Sequence, residues 1–174
     1  AILHPLAALR AMAGDLDEAR RLLREGNAIL DELGTLTAAV SHNEPVVEML
    51  AGRPEVAEAR LRGGYERLEA MGERAVLATT AALLARAIEA QGRDEEAEHY
   101  CRVSRETAAP EDLPTQIMWR GTAARVLARR GLGGEATALA RAAVELAEGT
   151  DLLTIRADAF LDLAEALDLA GQAE

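Results

Sequence analysis

The sequence predicts an all-α chain, an array of antiparallel helix pairs with about nine helices. Three observations predict it. The apolar share is 49%, almost all of it Ala, Leu, Val and Ile, while aromatics are only 2% (Tyr65, Tyr100, Trp119 and Phe160). Sheets lean on aromatic and β-branched residues, whereas Ala, Leu, Glu and Arg are strong helix formers. Second, five glycines recur at near-constant spacing, Gly14, Gly52, Gly92, Gly131 and Gly171, separated by 38, 40, 39 and 40 residues. Third, the apolar residues between them fall at helical spacing.

The glycine register carries a set of small residues with it. Five residues after each of the first four glycines stands Ala19, Ala57, Ala97 or Ala136. Nine after stand Leu23, Leu61, Cys101 and Ala140; twelve after stand Gly26, Gly64, Ser104 and Ala143. Seven before the five glycines come Ala7, Pro45, Ala85, Ala124 and Ala164. A turn glycine supplies the left-handed conformation that ends a helix. Small residues at fixed offsets mark where paired helices approach most closely, so Ala85 and Ala124 are expected to be buried there.

Each repeat then reads as a first helix, a glycine turn and a second helix. Repeat 1–34 has helices near 3–13 and 15–33, the second opening on Asp15-Leu16-Asp17-Glu18 and carrying the stripe Ala19, Leu22, Leu23, Gly26, Leu30 and Leu33. Acidic residues suit the positive end of a helix dipole. Repeat 35–72 has helices near 36–51 and 54–71, with Pro45 inside the first, where a kink or early break is expected. Repeat 73–112 has helices near 74–90, with Leu77, Leu84, Ala87 and Ile88 on one side, and near 94–108, opening on Asp94-Glu95-Glu96. Repeat 113–150 has helices near 114–130 and 134–148. Repeat 151–174 has one helix near 151–170 and stops after Gly171 without a second, so the chain is expected to be part of a longer protein. Breaks are expected at Gly34, Gly72, Ala109-Pro110 and Gly149.

Composition also narrows function. All 19 basic residues are Arg, so no lysine is available for a Schiff base or a phosphate loop. A net charge of −11 argues against nucleic-acid binding, which depends on a basic surface. No apolar run approaches the roughly 20 residues of a membrane span, and one cysteine fits a reducing cytoplasm.

No group of residues reads as catalytic, cofactor-binding or metal-ligating. His42, in His42-Asn43-Glu44-Pro45, has no second histidine four residues on, and a solvated helix face is its expected place. His99 and Cys101 lie two apart on a helix and so face apart, and Cys101 holds a core position of the repeat. Glu95-Glu96 with Glu98, and Asp17-Glu18, sit at exposed helix starts. Gly131-Leu132-Gly133-Gly134 follows no strand and precedes no lysine, so it reads as a turn. Trp119 and Phe160 read as packing anchors between repeats.

The arrangement Gly-x-x-x-x-Ala-x-x-x-Leu-x-x-small resembles the second half of tetratricopeptide (TPR) repeats, in a unit longer than the usual 34 residues. Leu9-Arg10-Ala11-Met12-Ala13-Gly14-Asp15-Leu16-Asp17-Glu18-Ala19 and Leu127-Ala128-Arg129-Arg130-Gly131 are similar to the helical sensor arrays of bacterial signalling proteins. In those proteins the array accompanies a P-loop ATPase with a nucleotidyl cyclase or a LuxR-type DNA-binding domain. The resemblance implies a right-handed superhelical α-solenoid whose first helices line a concave groove. Counting groove positions from each glycine gives His4, Ala8, His42, Val46, Thr79, Arg86, Met118, Arg125, Arg129, Asp158, Asp162, Glu165 and Asp168. The lysine and asparagine clamp of the chaperone-tail-binding subset is replaced by His4, Ala8, His42 and Val46.

The expected function is therefore a non-catalytic scaffold, without cofactor or metal, that binds a peptide or partner domain. The alternative is a regulatory tail acting on other domains of the same full-length chain. The candidate partner-binding residues are Arg86, Met118, Arg125, Arg129, Asp158, Asp162 and Glu165. Either Arg125 and Arg129 pair with Asp162 and Glu165 across adjacent helices, or the groove is split in charge, its arginines holding an acidic segment of a partner while the acidic stripe steers orientation. The last helix carries Leu153, Phe160, Leu163, Ala164 and Leu167 on one side, and self-association through it is expected.

Overall fold

The computed structural model describes residues 2–32 and 41–171, which form nine α-helices and no strand. They are α1 (Leu3–Met12), α2 (Leu16–Glu32), α3 (Asn43–Leu50), α4 (Pro54–Met71), α5 (Arg74–Glu89), α6 (Asp94–Thr107), α7 (Leu113–Arg129), α8 (Gly133–Glu148) and α9 (Leu153–Leu169). Two compact units result, Ala1–Gly72 and Glu73–Glu174.

All five register glycines have positive φ, between 66° and 85°. Behind four of them the next residue's N–H reaches back five residues, from Asp15 to Arg10, Arg53 to Glu48, Arg93 to Ile88 and Leu132 to Leu127. This is the left-handed cap that closes a helix and reverses the chain, and a side chain there would be strained.

In the first unit, α1 pairs with α2 and α3 with α4, and α1 packs beside α3. Its core joins Ala7, Ala11, Ala19, Leu22, Leu23 and Val47. A Cβ on Gly26 of α2 would stand 2.7 Å from the His4 ring of α1, so only glycine admits that crossing. Of the expected helix 36–51, residues 36–40 lie outside the described residues, as do Leu33 and Gly34. Helix α3 begins only at Asn43, so Pro45 stands in its first turn and produces no kink. There its missing N–H has no intrahelical carbonyl to serve.

In the second unit, α5, α7 and α9 lie side by side. Helix α6 packs on α5 and α7, and α8 on α7 and α9. Ala85 and Ala124 are fully buried, and Ala124 meets Ala140 of α8 and Ala166 of α9. Ala164 holds the same register position but is exposed, because among the described residues no helix follows α9 to cover it.

Candidate functional site

The face formed by α5, α7 and α9 brings the predicted charges together. Arg125, near the C-terminal end of α7, is only 4% exposed. Its Nη2 donates to Glu89 Oε2 of α5 at 2.8 Å, and its Nη1 pairs closely with Asp162 Oδ1 of α9. Glu165 Oε2 stands 3.6 Å from its Nε. On the α5 side, Arg86 approaches Asp162 at 3.4 Å and Asp158 at 3.9 Å. Arg129 bridges Glu89 at 2.5 Å and Asp94, at the start of α6, at 2.7 Å. Three arginines and five carboxylates from four helices thus form one connected network.

Its electrostatics follow from depth. Burial opposes the Arg125 charge, but Asp162 and Glu89 outweigh it and hold the guanidinium pKa above its ordinary value. Burial pushes the Asp162 carboxyl up, against the pull of Arg86 and Arg125. The hydrogen bond to Asp94 raises Arg129, which lies nearer the surface. Among buried ionic groups, matched partners and satisfied hydrogen bonds decide whether the charges are tolerated.

Two residues of this network escaped sequence reasoning. Glu89 ends the otherwise apolar run Ala87-Ile88-Glu89, a charge where the helix is buried. Gly121 lies in the middle of α7, where a Cβ would come within 1.9 Å of Asp162 Oδ2 and 2.7 Å of its Cγ. The Asp162 carboxylate occupies the space that this glycine leaves. A glycine within a strong helical pattern, which costs roughly 1 kcal/mol relative to alanine, was the available signal.

No protein-family model matches the sequence, and no curated protein does. Among solved structures, the chain is similar to the nearly identical TPR-like repeats assigned to a kinesin light chain of Podosopora anserina. Identity is 22%, the TM-score is 0.67, and the match covers 98% of this chain and 86% of that one. A form of those repeats with one residue substituted matches with a TM-score of 0.68, again at 22% identity, over 98% and 85% of the two chains. The fold is that of TPR-like helical repeats.

Against that fold, the predicted groove positions divide. Arg86, Arg129, Asp158 and Glu165 reach the surface of the α5–α7–α9 face, and Met118 is half-buried. Arg125 and Asp162 lie beneath it. Arg125 meets Asp162 and Glu165 as expected, but Arg129 turns to Glu89 and Asp94 of the preceding pair. Thr79 is hydrogen-bonded to Thr115 across α5 and α7, at 2.7 Å. His4 faces its own second helix at Gly26.

Four further expectations can be placed. His42 stands at the N-cap of α3, half-buried, and burial lowers its pKa, so it is not a solvated face. Cys101 is buried and its thiol is pushed up to about 12 by burial, which makes it a core residue. Trp119 is buried, with its indole N–H donating to Gln116 Oε1 at 3.0 Å. Phe160 is 45% exposed, so it is not the buried anchor its size suggests. Among the described residues no group of His, Cys, Asp or Glu is placed to hold a metal ion, and no helix is long and apolar enough to cross a membrane.

Proposed function

We propose that this chain is a non-catalytic, cytoplasmic interaction scaffold that binds an extended segment of a partner protein along the α5–α7–α9 face. One observation carries the reading. The most exposed charges of the network are the carboxylates of Asp158 and Glu165, whose side chains are 52% and 53% exposed and which its arginines meet only at 3.9 and 3.6 Å. They lie seven residues apart on one side of α9, with Asp168 exposed beyond them. Arg125 is buried, and Arg86 and Arg129, less exposed than those carboxylates, are matched by Asp162, Glu89 and Asp94. A segment that carries Arg or Lys at a similar spacing would find accessible acceptors there, steered by the net charge of −11. Arg86, Met118 and Arg129 would form the flanking contacts, and Arg125 with Asp162 would hold the helices in register beneath.

The test is a calorimetric titration with equal-length peptides graded from basic to acidic, at low and high salt. Affinity should follow positive charge, weaken with salt, and be lost in the double variant Asp158→Asn with Glu165→Gln. Preference for the acidic peptides, or an unchanged affinity in the double variant, would refute the reading. A regulatory tail would present the same face to a segment of its own longer chain, so the same variant would then alter the activity of that chain.

A further inference from the structure

The side of α7 turned away from the charged network carries a cavity of about 400 Å³, flanked by α6 and α8. Trp119, Ala123, Val126 and Leu127 line it from α7. Helical geometry sets these four within about 100° of one another, on the side opposite Arg125. Cys101 of α6 and Leu139 of α8 complete an apolar floor. Val126 and Cys101 are buried, while Ala123, Leu127 and Leu139 keep part of their surface open.

The two ends of the cavity differ in charge. At one end Arg130 Nη1, where α7 closes, donates to Glu98 Oε2 of α6 at 2.6 Å. Glu135 stands beside it in the first turn of α8, where a carboxylate suits the helix dipole. At the other end Gln116 Nε2 donates to Ala109 O at 3.1 Å, which holds the close of α6 beside the start of α7. Arg105 lies towards this end, seven residues beyond Glu98 on α6 and so about 10 Å along it. Arg102 stands one turn before it. Both line the cavity and are exposed, and among the described residues neither has a carboxylate within ion-pair distance. Arg120 adds a third cation here. Its guanidinium carbon lies 4.3 Å from the Trp119 ring centre, and its Nη1 donates to Gln116 O and Oε1 instead of to a carboxylate.

We infer that this cavity binds a small amphipathic acid, an apolar chain with one carboxylate at its end. The head group lies at Arg102 and Arg105, whose guanidinium forks match the two oxygens of a carboxylate. The body runs over the floor towards Leu127 and Leu139. Trp119 stands at the end that holds the head.

Size and charge select the ligand. The volume falls in the lower part of the range of small-molecule sites, which suits a chain of medium length such as octanoate. Glu98 and Glu135 at the far end repel a second anionic group, so a dicarboxylic acid of the same length is rejected. An alcohol of that length keeps the apolar contacts and gains nothing from the arginines.

Trp119 is the only tryptophan, so its emission reports on the cavity directly. Octanoate brominated beside its carboxylate should quench it more strongly than octanoate brominated at the far end. In a calorimetric titration octanoate should bind about tenfold or more tighter than octanol or octanedioate. In the double variant Arg102→Gln with Arg105→Gln, octanoate should fall to the level of octanol, whose own affinity stays unchanged. Arg141→Gln, at an exposed arginine of α8 outside the cavity, should bind octanoate like the wild type. Absence of quenching by either brominated acid would overturn the inference. So would equal affinities for octanoate and octanol, or an unchanged octanoate affinity in the double variant. A loss in Arg141→Gln as large as in the double variant would also overturn it, by marking overall charge as the cause.

Discussion

Replacing Gly121 with alanine sets two effects of opposite sign against each other. In an ordinary helix interior the change stabilises by roughly 1 kcal/mol, because glycine gives up more backbone freedom on folding. Here the new Cβ would sit 1.9 Å from Asp162 Oδ2 and 2.7 Å from Cγ, so the carboxylate must leave its place beside Arg125. Breaking a buried ion pair costs about 3–5 kcal/mol when a charge is left uncompensated. Arg125 keeps Glu89 at 2.8 Å, so a value near the bottom of that range applies. The net expectation is a loss of about 2 kcal/mol. Urea unfolding followed by Trp119 fluorescence measures it in the right place, since the only tryptophan lies in α7 two residues away. In an Asp162→Ala background the clash reduces to a 3.1 Å approach at Cβ, and Gly121→Ala should turn neutral or stabilising. If Gly121→Ala stabilises the wild type as well, the close-packing argument fails.

Two other expectations rest on single groups. Arg125→Met leaves buried Glu89 with Arg129 alone and buried Asp162 with Arg86 alone and should cost about 3 kcal/mol, whereas Arg129→Ala, at the surface, should cost about 1 kcal/mol or less; similar losses in chemical denaturation would show that depth does not govern the network. His42 has a folded-state pKa depressed below 6.5 by burial, so the unfolded chain takes up its proton first as pH falls. Its contribution to stability is complete above about pH 6.5 and is lost on acidification towards the folded pKa. Thermal melts at about pH 7.5 and pH 5.5 should therefore fall further apart for the wild type than for His42→Gln, and equal spacing in the two proteins would contradict the assignment.

Most of the fold was legible because its requirements leave marks on single residues. A left-handed turn selects glycine, and a close helix crossing selects Ala, Gly or Ser, so nine helices could be placed from periodic small residues. The charged network was legible only in outline. Register shows on which side of a helix Arg125 stands, but not that Glu89 and Asp162 bury it, because depth depends on neighbours more than 30 residues away. The same gap explains Phe160: its size suggested an anchor, yet an aromatic side chain is buried only where a further helix covers it. Pro45 misled for a local reason, since its effect depends on where the helix starts, and α3 begins only two residues before it.

Repeat arrays ordinarily lose structure one unit at a time, because each repeat touches only its immediate neighbours. The Arg86–Asp162 contact breaks that rule. It ties the first helix of one pair to the first helix two pairs later, through an Asp162 carboxylate that fills the space Gly121 leaves on α7. Fraying of α9 would strip a partner from both α5 and α7 at once. Residues 73–171 are thereby coupled beyond nearest neighbours, and their amide hydrogens should exchange as a single cooperative block instead of a ladder that opens from one end.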